Sequence, residues 1–188
     1  MDNNNLSARE LMMAGEWCDA LDDELIVDLR RCQQACFEIN QMAPAQADER
    51  NRRIAQLLGK AGEGLHVNTP FNCDYGYNIE VGSHFFANYN LTILDEGKVT
   101  FGDHVFIGPN CSFYTPIHPL DSEHRNQGLE RQKPIHVGDN VWFGGGVTVL
   151  PGVTIGSDTV IGAGSVVTHD IPAHSLAVGN PCRVIREV

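Results

Sequence analysis

The stretch Ile155-Gly-Ser-Asp-Thr-Val-Ile161-Gly-Ala-Gly-Ser-Val-Val167-Thr168 carries an aliphatic residue at every sixth position, with Gly156 and Gly162 directly after the first two. Read toward the N-terminus, the beat continues without a miss through Val149, Phe143 and Val137. Val141, Val147 and Val153 stand four residues beyond Val137, Phe143 and Val149, and Phe101, Ile107 and Phe113 keep the same phase. A weaker series, Val81, Ala87 and Ile93, comes earlier, offset by two residues around the turn at Asp95-Glu96-Gly97-Lys98. A strand repeats every two residues and a helix every 3.6, so a period of six fits neither alone. It fits a solenoid whose coils have three flat sides, each a short strand with one inward aliphatic residue per step. Residues 81–98, 101–118, 137–154 and 155–172 then make four coils, with an irregular one before them. At about 4.8 Å between stacked strands, four coils build a column about 20 Å tall, whose end strands need covering.

The flanking segments read differently. Of 19 glycines, only Gly15 and Gly59 precede residue 61, and glycine weakens helices while serving tight turns. Residues 1–60 therefore read as a helical cap and 61–188 as the solenoid, with a C-terminal tail over 173–188. In the cap, Ser7-Ala8-Arg9-Glu10 fits a capping box, and Leu21, Leu25, Leu29, Cys32, Cys36 and Ile39 recur as one helical stripe. Pro44 interrupts that stripe, and a third helix with Ile54, Leu57 and Leu58 ends near Gly59. Residues 119–136 break the six-residue rhythm with polar and charged side chains and read as a loop ejected from one corner. Such loops in compact folds tend to be functional.

Composition bounds the function. Thirteen Lys and Arg against 24 Asp and Glu give a net charge of −11, which argues against nucleic acid and anionic membranes as partners. No apolar run approaches a membrane helix, and Met1-Asp2-Asn3-Asn4-Asn5 lacks the basic and apolar regions of a signal peptide, so the cytosol is the default compartment. Cys18, Cys32, Cys36, Cys73, Cys111 and Cys182 show no C-x-x-C pair and read as reduced, buried thiols rather than disulfides or a zinc site.

The hexad run resembles the hexapeptide-repeat acyltransferases, whose mainly β fold is a left-handed parallel β-helix. Cys73-Asp74-Tyr75-Gly76, Ala87-Asn88-Tyr89-Asn90 and Thr115-Pro116-Ile117-His118-Pro119-Leu120 narrow it. Together with Val178-Gly179-Asn180-Pro181 and Arg183-Val-Ile-Arg186-Glu187, they resemble the maltose/galactoside O-acetyltransferase branch, on its maltose side. The resemblance implies transfer of an acetyl group from acetyl-CoA to a sugar hydroxyl, in a homotrimer with sites between subunits and no metal. The chemistry needs a base titrating near neutral pH and a donor for the oxyanion.

His118 occupies the family's general-base position, and the family places Asn88 beside it. Asp19, Asp74 and Glu96 match acceptor-contacting positions. Gly145, Ala163 and Thr168 match the lining of the pantetheine arm, Trp142 walls the same groove, and Arg183 and Arg186 are assigned to the CoA phosphates. No Lys or Arg lies between Lys133 and Arg183. His169 stands where family members often carry a lysine beside the CoA, and Gly145 where galactoside members commonly carry serine.

Other readings keep the fold. The acceptor could be a chitooligosaccharide, an antibiotic hydroxyl or serine. His84, His104 and His136 could suggest a zinc lyase of the gamma-type carbonic anhydrase kind, though they do not reproduce its pattern. A scaffold without catalysis would leave His118 idle.

Overall fold

A computed structural model describes residues 6–188. Three parallel sheets form the faces of a triangular column, and the chain visits them in a fixed order. Face I stacks Lys60–Ala61, Ile79–Val81, Val99–Phe101, Ile135–Val137 and Thr154–Ile155. Face II stacks His66–Val67, Phe86–Ala87, Phe106–Ile107, Trp142–Phe143, Val160–Ile161 and Ser175–Val178. Face III stacks Phe71–Cys73, Leu91–Leu94, Ser112–Tyr114, Thr148–Val149 and Val166–Val167. Five strands on face I mean five coils, the first being the irregular one at 60–73, and a bridge from Ile155 to Ile171 opens a sixth.

The register shows why the period is six. Phe101 pairs with Val137 and Val137 with Ile155; Ile107 pairs with Phe143 and Phe143 with Ile161; Phe113 pairs with Val149 and Val149 with Val167. Each residue of the beat thus lies directly over its equivalent in the next coil, and every one is buried. Down the axis, Phe113 meets Phe101 and Phe143 edge to face, with ring centroids 5.0 and 5.3 Å apart. That is the favoured geometry for aromatic quadrupoles. Several corners are turned by residues with positive φ, among them His84, His104, Asn140 and Asp158.

Helix α1 (Ala8–Ala14) opens with the expected capping box, Ser7 and Glu10 satisfying each other's backbone amides. Helix α2 (Asp23–Asn40) buries Leu25, Cys32, Cys36 and Ile39 against the column. Leu21 does not join that stripe: it precedes the helix and is 66% exposed. Leu29 is only partly buried, and its neighbour Asp28 takes the buried position instead, pairing with Arg9 and Arg31. Helix α3 (Ala47–Leu57) completes the cap.

The cap closes the open edge of the first coil with side chains acting as a missing strand. Asn40 accepts from Phe71 N and donates to Phe71 O, both at 2.9 Å. Asn51 accepts from Val67 N at 3.0 Å, and the buried Arg50 donates to Val67 O at 3.1 Å. Unpaired edge amides are costly when buried and sticky when exposed, so this replacement both stabilises the end and blocks strand addition. At the other end, Arg183–Glu187 runs antiparallel to Ser175–Val178.

The ejected loop is shorter than the expected 119–136: residues 119–134 hold a short helix, α4 (Ser122–Arg125), and the strand Leu129–Gln132, while Ile135 and His136 already pair with Val99 and Thr100 on face I. That strand lies antiparallel between Pro116–Ile117 and Cys18–Asp19, joining cap, corner and loop in one small sheet. All six cysteines are free and buried, and no described helix is long and apolar enough to cross a membrane.

Candidate active site

Asp74, Glu96 and His118 each follow a face III strand, in the first, second and third coils, so the three stack at the corner where face III turns into face I. His118 stands at the top of this stack with its side chain 56% exposed. Its Nε2 lies 3.4 Å from Oε2 of Glu130, whose side chain is only 12% exposed. Glu130 belongs to the strand Leu129–Gln132 and pairs in register with Cys18, so Asp19 lies beside it at the rim. Asp19 itself is exposed and accepts from Leu21 N at 2.9 Å.

The acids beneath the histidine influence one another. Burial first, then the charge and hydrogen bond of Asp74, push Glu96 up to about 10. Burial also raises Asp74, which the hydrogen bond from Glu96 partly relieves. The ionisation of each carboxyl therefore bears on that of the other. Burial raises Glu130 as well, while the neighbouring His118 lowers it. Below them, fully buried Asp95 fastens the Asp74 turn by accepting from Asp74 N at 3.0 Å and Tyr75 N at 2.9 Å. Thr115 fastens the next turn, donating to Leu94 O and accepting from Gly97 N, each at 2.8 Å.

Asn88 is placed elsewhere. It lies in the second coil at the corner between faces II and III, with the strand Leu91–Leu94 separating it from Asp95 and Glu96. Within one chain it does not meet His118. It shares its corner instead with Gly145 of the fourth coil and Ala163 of the fifth. There Gly146 N donates to Pro109 O at 2.8 Å and Gly164 N to Gly145 O at 2.9 Å, stacking the turns directly. A Cβ at Gly145 would approach Pro109 O to 3.3 Å, so the absence of a side chain keeps this row low. Trp142 projects from face II beside the row, 57% exposed.

The remaining positions gather at the C-terminal end. Thr168 Oγ1 and His169 Nδ1 are 2.8 Å apart at the fifth-coil corner between faces III and I. His169 and Arg183 line one surface pocket, together with Asp170, Ile171, Cys182 and Val184. Arg186 lies three residues on, in the tail strand opposite Leu176.

Of the histidines that suggested zinc, His84 and His104 stack on each other at positive-φ turns, ring centroids 4.7 Å apart, and His136 pairs with Thr100 on face I. Glu130 and Asp95 were not expected from the sequence. Glu130 sat in a stretch without periodicity, and Asp95 was visible only as a turn residue.

Residues 11–62 match the maltose acetyltransferase hexapeptide capping motif, and residues 134–169 match the bacterial transferase hexapeptide of six repeats. A maltose O-acetyltransferase from Clostridium difficile 630 superposes with a TM-score of 0.96 at 44% identity, covering 98% of this chain and 99% of its own. The galactoside O-acetyltransferase of Escherichia coli K12 is 40% identical, over 98% of this chain and 91% of its own. A hexapeptide-repeat containing acetyltransferase from Vibrio cholerae, solved with acetyl coenzyme A, gives a TM-score of 0.86 at 38% identity, over 97% and 98% of the two chains.

Proposed function

We propose, from the premise that this chain belongs to the maltose and galactoside O-acetyltransferase branch of the hexapeptide-repeat acetyltransferases, that it acetylates a sugar hydroxyl from acetyl-CoA. The observation that carries this reading is His118, held at a rigid corner against the part-buried Glu130 and above the Asp74–Glu96 pair.

Acetyl-CoA supplies an acetyl group already activated as a thioester. His118 takes the proton of the attacking hydroxyl and later gives it to the departing sulfur. Glu130 holds a proton on the imidazole nitrogen that faces it, leaving the other nitrogen a lone pair for the acceptor. It also favours the imidazolium that forms during transfer. Asp74, Glu96 and Asp19 offer carboxyl oxygens to the other hydroxyls of a sugar. Asn88 contributes an amide to the acceptor and to the oxyanion.

The separation of Asn88 from His118 within one chain supports a site shared between subunits. A neighbour's corner bearing Asn88, Gly145 and Ala163 would face the corner bearing His118, and three flat faces suit a homotrimer. The pantetheine arm then runs down the glycine-lined corner past Trp142, Ala163 and Thr168. Arg183, Arg186 and His169 take the phosphates at the C-terminal end, where charge-assisted contacts work despite the acidic chain.

Thiol release from acetyl-CoA over a panel of maltose, glucose, a thiogalactoside, a chitooligosaccharide and serine tests the reading. The expected result is transfer to a glucosyl or galactosyl sugar, reduced about 10²–10⁴-fold by His118→Ala, the usual range for loss of a general base. Activity on serine alone, full activity in the variant, or a stable monomer by light scattering would overturn it.

A further inference from the structure

The cap and the first coil meet at three sulfurs. Cys32 and Cys36, one turn apart on α2, point the same way because residues four apart share a helix face. Cys73, at the end of the first face III strand, points back at them. Its Sγ lies 3.5 Å from that of Cys32 and 3.8 Å from that of Cys36, and all three sulfurs lie within 4.8 Å of one another. The three residues are 1%, 3% and 4% exposed.

The two spacings from Cys73 suit a coordination polyhedron. Sulfurs at about 2.3 Å from a central ion, as in zinc–thiolate sites, stand about 3.8 Å apart at the corners of a tetrahedron. Thiols packed only as small apolar groups have no reason to converge in threes, since each fills its own gap in a core. The trio is the only such grouping of His, Cys, Asp and Glu among the described residues. A fourth position is open, because Cys36, Cys73 and Asp74 line a surface pocket with Asn40, Pro70 and Asn72. The pocket supplies an entry path and a place for a water ligand.

We propose that Cys32, Cys36 and Cys73 form a site for a thiophilic d¹⁰ metal ion, zinc or copper(I), between α2 and the first coil. Each sulfur that binds exchanges its proton for a sulfur–metal bond, so up to three protons leave per ion, with no change of oxidation state. The metal sits on the far side of Cys73 from the reaction and takes no part in it. Its effect is to bind the cap to the column directly behind Asp74. The site uses no histidine and stands whether or not the acetyl-transfer reading does.

Cobalt(II) titrated into the reduced, chelator-stripped protein is the test. It should saturate at one ion per chain with thiolate-to-cobalt charge-transfer absorption and tetrahedral d–d bands, and one equivalent of zinc should abolish both. Cys32→Ala and Cys36→Ala should each lose the charge-transfer signal while retaining the far-ultraviolet circular dichroism of the parent. Should either variant misfold, X-ray absorption of the zinc-loaded parent still decides, expecting a first shell of three sulfurs at about 2.3 Å. Absence of charge transfer at excess cobalt, a signal unchanged in folded Cys32→Ala, or a nitrogen and oxygen shell around zinc would each overturn the proposal.

Discussion

Replacing Glu130 by Gln should slow acetyl transfer about 10²-fold while leaving acceptor and acetyl-CoA binding nearly as they were. The substitution keeps side-chain volume and an acceptor oxygen but removes the charge that lies 3.4 Å from His118 Nε2. Two unit charges at that separation attract by about 1 kcal/mol at the dielectric of water and about 5 kcal/mol at an effective value of 20. His118 is 56% exposed and Glu130 12%, so screening places the pair between those limits, at about 2–3 kcal/mol. Each 1.36 kcal/mol is a factor of ten in rate, which gives the stated loss. The attraction exists only once the imidazole has taken the proton, so it belongs to the transition state and should register in kcat rather than KM. Thiol release at saturating substrates measures it, with light scattering and circular dichroism confirming that assembly and fold are intact. A kcat within about threefold of the parent, or a change confined to KM, would refute the role assigned to Glu130 and the charge argument with it.

Asp95→Asn should stabilise the protein at neutral and alkaline pH. Burial first, and then the charge of Asp74, lifts Asp95 from the usual 3.8 to about 6, and its Oδ2 has no hydrogen-bond partner. Because the folded pKa is the higher one, the favourable contribution is complete below about 3.8 and disappears as pH rises through about 6. At pH 8 the buried charge costs about 3 kcal/mol, from a shift of about two pH units, and the amide avoids it while still accepting from Asp74 N and Tyr75 N. Urea unfolding at pH 4.5 and pH 8 should show the variant gaining on the parent by about 2 kcal/mol between them, and a pH-independent difference would contradict the assignment. Arg183→Ala with Arg186→Ala should raise KM for acetyl-CoA about 10- to 100-fold with little change in kcat, as expected for charge-assisted contacts distant from the reacting atoms. An unchanged KM would detach the tail from the phosphates.

The column was legible because its information is local and repeated. Val137 through Val167 each occupy an equivalent register position, so six-residue spacing maps onto stacked strands without reference to anything distant. The capping box at Ser7 and Glu10 was legible for the same reason. His118, Asp74 and Glu96 could be named through motifs, and the fold brings them past the ends of stacked strands in successive coils, one, three and five residues beyond the paired Cys73, Ile93 and Phe113.

What escaped was set by long-range pairing. Glu130 faces His118 because Leu129–Gln132 is clamped between residues 116–117 and residues 18–19, and no periodicity in the loop announces such a strand. Cys73 reaches Cys36 across 37 residues, so the absence of a C-x-x-C pair said nothing about the trio. Leu21 was misread because the spacing of apolar residues continues past the Asp22 cap that starts α2 at Asp23.

The coil-on-coil register also makes the molecule a ruler. Asn88 lies at the second graduation, Gly145 at the fourth and Ala163 at the fifth, while Arg183 stands on the strand that ends face II. Distances along that edge come only in whole graduations of about 4.8 Å. Point mutations can change what each mark touches but cannot move it. Inserting or deleting one complete coil would shift the C-terminal end by a full step and keep the triangular cross-section. Descendants of this chain can therefore change the separation between the corner of Asn88 and the tail only in discrete jumps, while the side chains at each mark vary freely.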